Sequence, residues 1–176
     1  MTAMKTIRTP RFLQAICLFF FVAALSGCSI YKFNDASIPP DVKTIKVGFI
    51  ENRARYVNPQ VSPQLTTKLT QIITSRTKLS LTNNDDAHYV ISGQITNYDG
   101  TQTVGVSGQQ STTNRLTVTV HIVLRKTLKN ITDEFDVTRN FDYDGRLQFQ
   151  DAEAKLLDEI IRNVSDEIFN HIFSNW

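Results

Sequence analysis

The chain has 176 residues, 19 of them basic and 17 acidic, for a formal net charge of +2. So even a balance gives no electrostatic case for nucleic acid as a partner. Two cysteines, both near the N-terminus, leave a disulfide framework or thiolate metal cluster nothing to build on.

Lys5, Arg8 and Arg11 charge a start that has no acidic residue, and Phe12 to Leu25 is apolar apart from Gln14. Leu25-Ser26-Gly27-Cys28 follows at once. A charged start, a short apolar core and small residues before a break make a secretory signal. The apolar run rises about 21 Å as a helix, short of the ~30 Å hydrocarbon core, which argues against a membrane span. Leu-Ser-Gly-Cys also resembles a full lipobox. Residues 1–27 therefore read as a lipoprotein signal peptide, and Cys28 as the site of diacylglycerol and N-acyl attachment. One acyl chain binds a bilayer marginally, whereas two or three hold it. Ser29, where an Asp would retain the protein at the inner membrane, favours the outer membrane. The lack of an acidic run after Cys28 favours its periplasmic face.

The signal takes three of the 19 basic residues and none of the 17 acidic ones, leaving 16 against 17 in 149 residues. That length suffices for one domain with a sizeable core. Residues 28–43 read as a lipidated tether closed by Pro39-Pro40, and residues 44–176 as a single domain.

Thr44 to Glu51 alternates as a strand, with Ile45, Val47 and Phe49 on one face. Ser62-Pro63 predicts a helix cap, and Leu65, Leu69, Ile72 and Ile73 an amphipathic helix to about Lys78. Leu79 to Thr82 is a short strand, and residues 83–86 a turn. Tyr89 to Tyr98 and Leu116 to Leu124 are longer strands, the second with the cleanest alternation in the chain. Between them, Asp99 to Thr113 is rich in Gly, Ser, Thr and Gln and reads as a flexible hairpin loop. Phe135, Val137, Phe141 and Tyr143 mark a last strand, with Arg139 out of place on their face. A final helix spans about Asp151 to Ser174, with Asp151 and Glu153 at its positive end. The order β-α-β-β-β-β-α predicts an α+β fold: two helices on one face of a mostly antiparallel sheet of four or five strands.

No constellation argues for catalysis. His88, His121 and His171 are far apart in sequence with no carboxylate or thiol at ligand spacing, so no metal is expected. Asn97-Tyr98-Asp99-Gly100 and Asp142-Tyr143-Asp144-Gly145 resemble calcium loops but lack the alternating oxygen ligands, and read as Asp-Gly turns ending strands. Val104 to Gly108 is glycine-rich but lacks the lysine and the helix of a phosphate loop. No serine has a neighbouring base. The only cofactor expected is the lipid on Cys28.

On the last helix, Leu156, Leu157, Ile160, Ile161, Val164, Ile168 and Ile172 share one arc, an ordinary core face. Phe169, Phe173 and Trp176 fall outside it. Either the tether packs over them or they form a docking surface for a partner.

With those elements in place, the chain resembles the LptE family of lipopolysaccharide-assembly lipoproteins, in its branch with a short, aromatic C-terminus. The match is carried by Gly27-Cys28 with Tyr31 and Phe33, by Asn52-Arg53-Ala54 with Val57-Asn58-Pro59, and by Asn114-Arg115-Leu116-Thr117. Ile168-Phe169-Asn170, Phe173 and Asn175-Trp176 complete it. The resemblance implies a non-enzymatic protein at the outer membrane. Such a protein plugs an LptD-type β-barrel and assists lipopolysaccharide delivery, with the barrel and lipopolysaccharide as partners. Arg53, Arg55, Tyr56 and Arg115 are then candidate contacts to lipopolysaccharide phosphate or to the barrel, because a guanidinium binds such anions bidentately and keeps its charge. The plainer reading pairs these arginines with sheet-edge carboxylates or leaves them in water. The rivals in function are a free periplasmic-face lipoprotein that carries a lipid or small ligand, and a small envelope hydrolase.

Overall fold

The computed structural model describes residues 38–107 and 111–174. Five strands and two helices follow one another as β1 (Thr44–Asn52), α1 (Val61–Arg76), β2 (Ser80–Leu81), β3 (Tyr89–Ser107), β4 (Ser111–Lys126), β5 (Ile131–Asp144) and α2 (Phe149–Phe173). The order and the α+β class are those read from the sequence. The sheet runs β2-β1-β3-β4-β5 and is mixed. β1 is parallel to β2 and to β3, and α1 supplies the crossover that parallel pairing requires. The long ladders, β3 with β4 and β4 with β5, are antiparallel.

β4 shows why the layers form. Leu116, Val118, Val120, Ile122 and Leu124 are buried on one face, while Arg115, Thr117, Thr119 and His121 alternate onto the other. The apolar face lies under Leu65, Leu69 and Ile73 of α1 and Ile160, Val164 and Ile168 of α2, all in one buried cluster. Each such side chain contributes roughly 1.5–3 kcal/mol on leaving water. In β1 the register to β3 shifts between Val47 and Ile50, and the Ile50 amide instead donates to Thr66 Oγ1 of α1 at 3.0 Å. That bond fixes the helix against the strand.

The structure corrects four local expectations. Asp99 to Thr113 is a ladder more than a loop: β3 and β4 pair through Asp99↔Thr117, Gln102↔Arg115 and on to Ser107↔Ser111. Threonine and valine at alternate positions favour a strand, and two register shifts, between Asp99 and Gln102 and between Thr103 and Gly105, fall at Gly100 and Gly105. By the same extension Asp99-Gly100 is strand, whereas Asp144-Gly145 is the turn expected. α1 starts one residue before Ser62, on Gln60, whose side chain makes no capping bond, so Ser62 is a buried helix residue. Arg139 does lie on the helix side of β5, as its place in the alternation implies, and there its guanidinium pairs with Glu167 of α2.

The fourth correction concerns Phe169 and Phe173, which are 7% and 2% exposed and belong to the core. An arc drawn for packing on a sheet alone is too narrow, since α2 also packs beside α1. Arg76 at the end of α1 lies 5.4 Å from the Phe169 ring centroid and forms an ion pair with Asp166 at 3.0 Å. Phe169 and Phe173 are in mutual contact at 5.0 Å. They are not an open docking surface.

Candidate functional site

The segment between β1 and α1, residues 53–60, is the most constrained irregular stretch near the candidate residues. Its anchor is Glu153, 4% exposed in the second turn of α2. Tyr56 Oη donates to one carboxylate oxygen at 2.9 Å and Asn58 Nδ2 to the other at 2.7 Å. A buried carboxylate left unpaired is costly, so these two donors bind the loop to the helix. The Tyr56 ring stacks on Tyr98 at 5.9 Å and meets the edge of Phe149 at 5.2 Å. Phe149 in turn lies over Gly100, where a Cβ would come within 2.0 Å of its ring. Tyr143 Oη closes the cluster on the Gly100 carbonyl at 2.5 Å. The Tyr98 hydroxyl is buried and makes no well-formed hydrogen bond; burial first, and then the Glu153 carboxylate, push its pKa far above the usual tyrosine value. Tyr56 is raised for the same two reasons in the same order.

From this pinned loop Arg55 projects, exposed and, among the described residues, without a carboxylate partner. Arg53 is anchored by its amide to the Ile95 carbonyl at 2.9 Å and by its guanidinium to Glu51 at 2.9 and 3.0 Å. Arg115 is elsewhere. Val120 is the register partner of Ile95, and Arg115 lies five residues further along β4, about 17 Å away at ~3.3 Å per residue. It binds Asp142 through two bonds of 2.6 and 2.9 Å. The four candidates thus form no single anion cradle: Arg53, Arg55 and Tyr56 share one loop, and Arg115 stands apart.

Arg115 begins a polar ladder over the face of the sheet opposite the helices. Arg115–Asp142, Thr117–Asn140 at 2.9 Å, Thr119–Thr138 at 3.1 Å and His121–Asp136 at 2.7 Å are successive cross-strand pairs. The Arg115 hydrogen bonds hold the Asp142 carboxyl below the usual carboxylate range. At the strand's end Arg146 does the same through its side chain and then its amide, taking Asp144 down to about 2. Phe49 is the large apolar side chain left on this face, 58% exposed.

The histidines are structural. His88 accepts from the Lys43 amide at 2.9 Å, His121 pairs with Asp136, and His171 stacks on Phe135 with centroids 3.8 Å apart. Among the described residues no three acidic, histidine or cysteine side chains converge as metal ligands, and no helix is long and apolar enough to cross a membrane. Cys28 and Trp176 lie outside the described residues. Sequence reasoning missed Glu153 as a buried anchor. Its position near a helix start reads as a dipole partner in water, and its donors are 95 and 97 residues away. The Tyr56–Asn58 spacing was the one local signal.

A filled core, a pinned basic loop and an open polar sheet face define a small α+β interaction domain. The chain belongs to the LptE lipopolysaccharide-assembly family, whose model matches residues 42–172. It is therefore an envelope lipoprotein of lipopolysaccharide assembly, from a family that is not enzymatic. No curated protein matches the chain. Among solved structures it is similar to a minor lipoprotein from Acinetobacter baumannii, with 21% identity over 74% of this chain and 92% of that one, at a TM-score of 0.48. A neuraminyllactose-binding hemagglutinin homolog from Helicobacter pylori shares 10% identity over 82% and 92%, at 0.54. A hypothetical protein from Chlamydia trachomatis shares 8% over 76% and 99%, at 0.50. The last two show that the fold is shared and nothing about function.

Proposed function

We propose that this protein, anchored through Cys28 on the periplasmic face of the outer membrane, partners and plugs an LptD-type β-barrel and assists delivery of lipopolysaccharide. Residues 1–27 are then the cleaved signal, 28–43 the tether and 44–176 the plug, with no catalytic role. The family match over residues 42–172 carries the reading. The open sheet face supports it: cross-strand pairs such as Thr119–Thr138 and Arg115–Asp142 present donors and acceptors at regular spacing, suited to a wet, polar barrel wall. Arg55, held out by the Tyr56–Glu153 clamp, is the cation best placed to meet a phosphate or an acidic wall residue.

The test is purification of the tagged, full-length protein in mild detergent. A large outer-membrane β-barrel is expected to come down with it, and cells lacking the protein are expected to show less lipopolysaccharide at the surface. Recovery of the protein alone, with surface lipopolysaccharide unchanged on its deletion, overturns the proposal.

A further inference from the structure

The open face of the sheet is self-paired along much of its length, from Arg115–Asp142 to Thr119–Thr138. Its stretch toward β1 is different. Phe49, Glu51 and Arg53 stand along β1, and His121 and Val123 face them from β4, two strand spacings or about 10 Å away. Between the two banks, over Ser92, Gly93 and Gln94 of β3, lies an open trough of about 370 Å³. Phe49 is 58% exposed, so one bank is an aromatic ring that the described residues leave uncovered.

The charges around the trough do not balance. The nearby guanidinium of Arg53 is spent on Glu51 and the Lys46 ammonium on Asp85, while Arg125 turns to the Asp85 carbonyl at 2.9 Å. Beyond the far bank, exposed on β5, Glu134 pairs in register with Val123 and Asp136 with His121. His121 Nδ1 is 2.7 Å from Asp136, and its Nε2 is 3.7 Å from Glu134. One imidazole carries at most one positive charge against these two carboxylates, so a net negative charge stays beside the trough at neutral pH. An uncovered ring next to an unmatched carboxylate suits a cation with a flat face. A guanidinium lies on an aromatic ring and turns its fork to carboxylate oxygens, whereas an ammonium is compact and strongly hydrated.

We propose that this trough receives an arginine side chain from the wall of the partner barrel, its guanidinium laid on Phe49 and turned toward Glu134 and Asp136. The inference rests on the barrel-plug reading and deepens it, since it names the chemistry that the wall carries at this point. Phe49 and the two carboxylates anchor the contact, and the self-paired ladder beyond them is its polar surround. The same carboxylates repel a phosphate, which separates this contact from the anion reading of Arg55.

The test follows the half-life of the complex between the tagged, full-length protein and its barrel in mild detergent, because interface changes act mostly on dissociation. Phe49→Leu keeps the apolar bulk and loses the ring face, and Glu134→Gln/Asp136→Asn keeps the shape and loses the charge. Each is expected to shorten the half-life roughly three- to tenfold, with urea unfolding as in wild type. The loss in the charge variant is expected to shrink in high salt, and Phe49→Trp to leave the half-life at least as long as in wild type. Independently, a photo-crosslinking residue at position 49 in living cells is expected to join a barrel segment that carries an arginine. Wild-type half-lives in both loss variants, a crosslinked segment without arginine, or lipopolysaccharide as the adduct overturns the occupant and leaves the barrel partner standing. Recovery of the wild-type protein without any barrel overturns both.

Discussion

The two faces of β4 differ by one residue in phase and by almost everything in chemistry. Leu116, Val120 and Ile122 are fully buried under the helices, whereas Thr117, Thr119 and His121, one step along, hold cross-strand partners in water. The covered face makes the fold; its energy comes mainly from apolar area removed from water. The open face contributes little to stability, because exposed pairs of this kind are worth about 0–1 kcal/mol. Its regular polar spacing is therefore free to serve recognition.

Substitutions across that divide should separate sharply. Ile122→Ala is expected to lose about 2–5 kcal/mol, while Thr119→Ala stays within about 1 kcal/mol, both read by urea unfolding. Equal losses would mean that the open face is structural.

Next in size is the clamp, where a third kind of surface, a buried polar one, meets the covered face. Glu153→Ala is expected to cost about 1.5–3 kcal/mol and to raise hydrogen exchange selectively through residues 53–60. Uniform exchange across the domain would show that the loop is held by other contacts. Gly100→Ala puts a methyl into the Phe149 ring and should cost about 1–3 kcal/mol. Adding Phe149→Ala should recover part of that loss, because the two sites share one contact; strict additivity would deny it.

The smallest effect is one of pH. Asp142 and Asp144 have depressed pKa values in the folded chain, Asp144 about 2 against an ordinary 3.8. A depressed carboxylate adds stability that is fully present above its unfolded pKa and lost as pH falls through the folded one. The part due to Asp144 should therefore fade between about pH 4 and pH 2. Arg146→Gln is expected to bring the Asp144 titration, followed by NMR, back toward 3.8. A titration that stays near 2 would leave the Arg146 pairing without effect.

Much of the fold was legible because its elements are local patterns. The alternation of Leu116 to Leu124 and the helical spacing of Leu65 to Ile73 predict the strand and helix that form, and the element order follows. The open face was legible in the same way, from Thr117, Thr119 and His121. What escaped depends on partners distant in sequence. Residues 99–113 look like a loop until β4 is laid beside them. Phe169 and Phe173 look superfluous until α1 covers a second side of α2. Glu153 looks solvated until a tyrosine and an asparagine from the far end of the chain close on it. Arg53, Arg55 and Tyr56 are adjacent in sequence and stay together in space, whereas Arg115 shares only their chemistry.

One measurement bears most directly on the claim that the open sheet face meets a barrel wall. A photo-crosslinking residue at Thr119, on that face, is compared in living cells with one at Lys155, an exposed position on α2. The expected result is a high-mass adduct from position 119 whose electrophoretic mobility changes on heating, as a β-barrel's does. No such adduct from position 119, with the protein present at wild-type level in the membrane fraction, would contradict it.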